Sequence, residues 1–368
     1  MPTKVKNIVS VCIMAVLLFG LSFYCWAKPA DEFSDSERRK LDQFPELTWD
    51  SILSGDFMKD FEDYTLDQFP MRDDFRTLKA FSRFYLFWQK DNNDIYIEDG
   101  YASKIEYPMS ESSMNHAAER FQYLYDKYMA DKACNVYFSI VPDKSYFLAE
   151  QNGYLSMDYD KFFELMQEKT DFMEYIDITG LLDITDYYKT DTHWRQEKIM
   201  DVAQKLAESM GVTLSGNYTQ QTLDNPFYGV YYGQSALPLS PETIYYMTSD
   251  ILEDCKVYNY ETGSPVEMSI YDMEKAYGKD PYEMFLSGSL PLITIENPNA
   301  TTDKELVIFR DSFGSSITPL LVEGYAKITL VDIRYITSDL VGMFVDFEDQ
   351  DVLFLYSTLV LNSSTTLR

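Results

Sequence analysis

Asp191-Thr192-His193-Trp194 and Arg310-Asp311-Ser312-Phe313-Gly314 carry the residue types of nucleophilic acyl chemistry. A serine hydroxyl is a weak nucleophile until an imidazole takes its proton, and that imidazole needs an acceptor on its other nitrogen to fix its tautomer. Asp191, two residues before His193, is a candidate for that acceptor. The chain has only two histidines, and His116 falls on a polar helical stretch that reads as simply exposed. Each motif also has a plainer reading. Asp311 or Ser312 caps a helix, and Asp191 caps another with His193 packed beside Trp194. His193 and Glu197 share a helix face, but no second His or Cys pair completes a zinc ligand set, so no metal is expected.

These residues need elements to position them. A helix is expected from Ser113 to Met129, then an apolar strand Val136–Val141, a helix Tyr159–Lys169 and a strand Tyr175–Ile178. The Asp-Thr-His-Trp loop follows and opens a helix over about 194–210 that Gly211 closes. Strand Leu306–Phe309 runs into Ser312 and a helix at about 315–324, and strands Ile328–Asp332 and Val352–Tyr356 finish the chain. Helices alternating with short, continuously apolar strands predict an α/β fold with a mostly parallel sheet covered on both faces. Chemistry in such sheets sits at the carboxyl ends of strands, where both motifs fall in this reading. The first amides of the helix after Ser312 lack internal partners and are candidates for an oxyanion hole.

Around this body the chain reads as three parts. Lys4 and Lys6 precede Ile8 to Ala27, which has no charge and is long enough to span a bilayer. Residues 1–30 are therefore expected to be a retained single-pass anchor with the rest extracytoplasmic, or else a cleaved signal followed by secretion. Residues 31–110 read as an arm packed on the main body, with a strand over 94–101 that ends in a Gly turn. Residues 111–368 form the main domain, interrupted by an aromatic, turn-rich insertion at about 215–290. Only Cys134 and Cys255 lie beyond the first segment, enough for one bridge at most. A formal charge of -29 argues against nucleic acid as a partner. The 30 Tyr and 24 Phe supply core and offer rings that stack on sugars.

Asp191-Thr192-His193-Trp194 resembles the Asp-His-His-Trp signature of the bacterial DHHW family, with Thr192 at the first His. Phe69-Pro-Met-Arg72, Phe227-Tyr-Gly-Val-Tyr-Tyr-Gly-Gln234, Ser235-Ala-Leu-Pro238, Arg310-Asp-Ser312 and Asp332-Ile-Arg-Tyr335 add to the resemblance. The family is similar in turn to the SGNH-hydrolase-like catalytic domain of periplasmic alginate O-acetyltransferases. That similarity implies a three-layer SGNH-like fold, and a triad of nucleophile Ser312, base His193 and orienting Asp191. It further implies an O-acyltransferase or acetylesterase acting on an envelope polysaccharide or exopolysaccharide, without a cofactor. The acyl donor would be a membrane-bound O-acyltransferase and the acceptor a polysaccharide. The Gly288 amide is a further oxyanion candidate beside that of Ser312, although Ser287-Gly288-Ser289 departs from the Gly-rich segment expected there. Arg334 and Tyr335 are candidates for lining the cleft, with a purely structural role as the alternative. A different class of function remains open on the same fold: a non-catalytic glycan-binding or envelope assembly protein.

Overall fold

The computed structural model describes residues 2–368. The chain divides into two compact units: residues up to Asn93 together with Tyr232–Pro238, and Asp94–Tyr231 with Leu239–Arg368. This division falls at residue 93 rather than 110, because the hairpin Ile95–Glu98/Tyr101–Lys104 belongs to the larger unit. Ile95 and Ala102 of that hairpin pack with Tyr231 there.

The larger unit is built on one eight-stranded sheet. In chain order its strands are β1 (Asn135–Val141), β2 (Glu174–Tyr175), β3 (Lys256–Asn259), β4 (Val266–Met268), β5 (Leu292–Glu296), β6 (Glu305–Arg310), β7 (Lys327–Val331) and β8 (Asp351–Ser357). They lie in the order β4-β3-β5-β7-β6-β8-β1-β2. The five from β7 to β2 run parallel, and β5, β3 and β4 extend the sheet antiparallel. The mostly parallel sheet expected from the continuously apolar strands is therefore present. The stretch read as an insertion is partly sheet: β3 and β4 lie within it, and the hairpin Thr219–Phe227/Glu242–Thr248 makes a separate pair.

Side chains alternate across a strand, and here the alternate residues enter two different cores. Ile308, Leu353 and Leu355 pack on one face with Val202, Leu206, Ile317 and Leu320 of the helices Met200–Ser209 and Phe313–Leu321. Val307, Phe309, Val352 and Phe354 pack on the other with Phe121, Leu124, Phe162 and Met166 of the helices Glu111–Tyr128 and Tyr159–Lys169. The result is three layers, with Phe309 stacked on Phe354 at 4.6 Å across the β6–β8 register.

In the smaller unit, helix Thr3–Ala27 is long and apolar enough to cross a membrane, with a mean hydropathy of 2.4 over its most apolar window. Length and composition of this kind suit either a membrane span or a signal sequence. All four cysteines are free thiols.

Candidate active site

Ser312 lies two residues beyond the end of β6, at the start of helix Phe313–Leu321. The capping role belongs to its neighbour. Asp311 is buried, accepts the Phe313 amide at 3.0 Å, and takes the amide (2.7 Å) and hydroxyl (2.6 Å) of Ser357 at the end of β8. Asp311 thus satisfies one orphan donor of the helix and ties two parallel strands together at their carboxyl ends. Ser312 makes no side-chain cap. Its hydroxyl lies 2.7 Å from His193 Nε2.

The other ring nitrogen, His193 Nδ1, donates to Asp191 Oδ1 at 2.6 Å. The same carboxylate accepts the His193 amide at 3.1 Å and, through Oδ2, the Val230 amide at 2.9 Å. Every one of these partners is a donor, so Asp191 acts as an acceptor that fixes the proton on Nδ1. Nε2 is left to accept the Ser312 hydroxyl. Asp191 is buried, whereas His193 and Ser312 remain partly exposed. The structure thus brings Ser312, His193 and Asp191 into one continuous hydrogen-bonded chain.

The loop that carries Asp191 and His193 does not directly follow a strand. β2 ends at Tyr175, and the intervening residues form short 3-10 turns before Tyr187 bridges to Trp194. The helix expected from 194 begins only at Met200. The reason is side-chain competition: Trp194 Nε1 donates to the Phe313 carbonyl (3.1 Å) and Ser316 Oγ (2.9 Å), while Gln196 Nε2 donates to the Ser316 carbonyl (2.7 Å). These bonds lash the His-bearing loop to the Ser-bearing helix and hold the two motifs in register.

Several residues not singled out by sequence reasoning complete the setting. The Tyr282 ring lies flat on the His193 imidazole, with centroids 3.9 Å apart and planes 8° off parallel, and its hydroxyl bonds Ser316 Oγ at 2.8 Å. Burial holds the Tyr282 phenol well above its ordinary pKa, so it stays a neutral donor. Lys144, wholly buried just past β1, donates to the carbonyls of Tyr188 (2.9 Å) and Lys189 (3.2 Å) and sits 4.9 Å from the centre of the Tyr231 ring. Burial pushes its ammonium down to about 7, against the opposing pull of Asp191, Glu242 and Asp143. Glu242 receives the amides of Lys189 (2.8 Å) and Thr190 (2.9 Å). Gly229 passes so close to the same loop that a Cβ there would meet the Asp191 nitrogen and the Thr190 carbonyl at 2.3 Å. No period or spacing announces these contacts. The one local signal was Gly229, inside the Phe227–Gln234 stretch.

The remaining candidates are placed differently. The Gly288 amide closes a turn on the Phe285 carbonyl at 3.2 Å rather than standing open for an oxyanion. Its carbonyl accepts from Arg310 Nη2 at 3.1 Å. Arg334 grips Asp332 with Nε (2.9 Å) and Nη2 (2.6 Å). Tyr335 is exposed, with its ring beneath the Arg334 guanidinium. Around the nucleophile turn the donating amides are those of Phe313, Gly314 and Ser315. Among the described residues none accepts from the Ser312 amide, which keeps it as the oxyanion candidate. His116, expected to be exposed, is half-buried and donates from Nε2 to the Leu367 carbonyl at 3.0 Å.

Residues 164–331 match the DHHW protein family. The matched segment contains Asp191, His193 and Ser312. A DHHW family protein from Eubacterium siraeum has a similar solved structure, with a TM-score of 0.58 and 22% identity over 74% of this chain and 93% of that one. Bacillus cereus PatB1, solved with a sulfonyl adduct, is similar at a TM-score of 0.55 and 18% identity, covering 73% of this chain and 97% of that one. The O-acetyltransferase domain of Pseudomonas putida AlgJ matches with a TM-score of 0.45 and 12% identity over 73% of this chain and 92% of that one. No curated relative matches the chain. The DHHW and PatB1 likenesses establish a shared mixed α/β fold.

Proposed function

We propose that the protein is a serine-dependent O-acyltransferase, or the corresponding acetylesterase, acting on a polysaccharide outside the cytoplasm. The observation that carries this reading is the unbroken Ser312–His193–Asp191 chain, at 2.7 Å and 2.6 Å. A helix cap or a folding relic has no need of an imidazole aligned on a serine hydroxyl through its free nitrogen. PatB1, of the same fold, carries a sulfonyl adduct, and such adducts form on activated nucleophiles. That adduct supports reading Ser312 as activated.

In the proposed reaction Ser312 Oγ attacks an acyl ester carbonyl while His193 Nε2 takes the hydroxyl proton. Asp191 stabilises the resulting imidazolium. The tetrahedral oxyanion faces the Ser312 amide and the positive end of helix Phe313–Leu321. Collapse returns the proton from His193 to the departing alcohol and leaves acyl-Ser312. An acceptor hydroxyl, on a sugar or on water, then loses its proton to His193 and attacks the acyl-serine carbonyl, and His193 returns that proton to Ser312 Oγ as the acyl–oxygen bond breaks. A donor supplied by a membrane-bound O-acyltransferase belongs to the same proposal, as does retention of Thr3–Ala27 as an anchor.

The test uses the full chain, an activated acetyl ester, and oligosaccharides as acceptors. Turnover is expected to fall by roughly 10⁶-fold in Ser312→Ala or His193→Ala and by about 10⁴-fold in Asp191→Asn, on the scale of other serine triads. Acetylated oligosaccharide identifies transfer, and free acetate alone identifies an esterase. Equal activity in wild type and Ser312→Ala would refute the reading and leave glycan binding without chemistry as the alternative.

A further inference from the structure

Helix Arg72–Phe81, continued by the π-turn Ser82–Leu86, has two opposed stripes. Arg72, Arg76, Lys79 and Arg83 recur every three or four residues along one side. Phe75, Leu78, Phe81 and Tyr85 do the same along another. A helix on a water-soluble body normally turns its apolar stripe inward. Here the basic stripe is the one tied to the rest of its unit. Arg72 and Arg76 reach the Glu37 carboxylate at 2.5 and 3.1 Å, and Arg76 also donates to the Gly233 carbonyl at 2.8 Å. Lys79 donates to Asn93 Oδ1 at 3.0 Å, and Arg83 to the Asp91 carbonyl at 3.0 Å.

The apolar stripe is left outside. Leu78 is 61% exposed and Tyr85 66%, and the helix runs on into Leu86, Phe87 and Trp88, the last 85% exposed. An apolar patch of this size on one helix marks a surface that something else covers. Two features of the same unit indicate what that is. The foot of helix Thr3–Ala27 is tied to residues just before Arg72: Cys25 Sγ donates to the Gln68 carbonyl at 3.5 Å, and Gln68 exchanges bonds of 2.8 Å with the Asp31 backbone. The exposed residues are also of the kind that gathers at a lipid–water boundary, with Trp and Tyr beside Phe and Leu.

We propose that Arg72–Trp88 lies in the surface of the lipid bilayer, with Phe75, Leu78, Tyr85 and Trp88 among the lipid headgroups and upper acyl chains. Its arginines hold it to the protein. The inference rests on Thr3–Ala27 being a retained membrane helix. The segment then acts as a second, shallow point of attachment, and it fixes the orientation of its unit against the membrane in a way that a single flexible tether does not.

Depth-dependent fluorescence quenching tests this. The full chain with Trp26→Phe and Trp49→Phe retains Trp88 and Trp194, and the wholly buried Trp194 serves as an internal reference beyond the reach of lipid. It is reconstituted into phosphatidylcholine vesicles with or without lipid brominated near the top of the acyl chain. Brominated lipid is expected to quench the Trp88 emission. The quenching should disappear when Trp88→Phe is added and weaken markedly with Phe75→Ser, Leu78→Ser and Tyr85→Ser together. Vesicle flotation reports the membrane helix separately. A chain that floats but shows no quenching overturns the proposal and leaves the stripe for a protein partner. A chain that does not float overturns the retained-helix reading and the proposal with it.

Discussion

Gly229→Ala is predicted to damage the proposed chemistry without touching any residue of the triad. A Cβ at 229 would lie 2.3 Å from the Asp191 nitrogen and from the Thr190 carbonyl carbon and oxygen, whereas ordinary contact begins at 3.4 Å. All three obstacles are backbone atoms, so no flexible side chain can swing aside. About an ångström of separation must open between the 229–230 segment and the Thr190–Asp191 backbone. That movement breaks the Val230 amide bond to Asp191 Oδ2, now 2.9 Å, and strains the Gly229 amide bond to Thr190 Oγ1, now 3.0 Å. Overpacking of this kind costs about 1–3 kcal/mol in stability. A misplacement of about 1 Å in a catalytic array costs on the order of 10²-fold in rate. The assay pairs denaturant unfolding with turnover of the activated acetyl ester. We expect the variant to remain folded, with lower stability and kcat reduced about 100-fold. Wild-type kcat and unchanged stability would refute the claim that this close approach braces Asp191.

Three further predictions concern neighbours of the site. Tyr282→Ala removes the ring stacked on His193 and is expected to lower kcat by roughly 10- to 100-fold, whereas Tyr282→Phe keeps the stack and should lose far less; equal losses in the two variants would count against the stacking role. Gly314→Ala would place a Cβ 2.7 Å from Arg310 Cβ in a fully buried setting, so a loss of about 1–3 kcal/mol is expected in urea unfolding. Lys144 gives a pH signature. Its ammonium titrates near about 7 when folded and at about 10.4 when unfolded, so between those values the unfolded chain binds the extra proton. Wild type should therefore gain stability relative to Lys144→Met as pH rises from about 7 towards 10, by about 1.4 kcal/mol per pH unit. A difference that stays constant with pH would show that Lys144 is not held in this way.

What was legible in the sequence followed from local signals. β1, β6 and β8 are continuously apolar because both their faces are buried, and that pattern reads directly from Val136–Val141, Leu306–Phe309 and Val352–Tyr356. β3 and β4 were hidden inside an apparent insertion. Lys256-Val-Tyr-Asn259 and Val266-Glu-Met268 are short, half-exposed strands: β3 pairs with β5, some thirty residues away, and β4 forms the sheet edge beside β3. Asp191, His193 and Ser312 were legible by residue type and by the turn after β6. Their supports were not. Tyr282, Lys144, Glu242 and Val230 come from four separate stretches of chain, and three of them act on the loop backbone or through a backbone amide. The delayed helix after Trp194 has the same origin, since Trp194 and Gln196 bond to a helix more than a hundred residues further on.

The most direct test of the acyl-serine account is to expose the folded full chain to a sulfonyl fluoride and map any adduct by peptide mass. We predict a single adduct on Ser312, absent from Ser312→Ala and formed far more slowly in His193→Ala. Folded wild-type protein that takes up no reagent, or an adduct that persists unchanged in Ser312→Ala, would contradict the account.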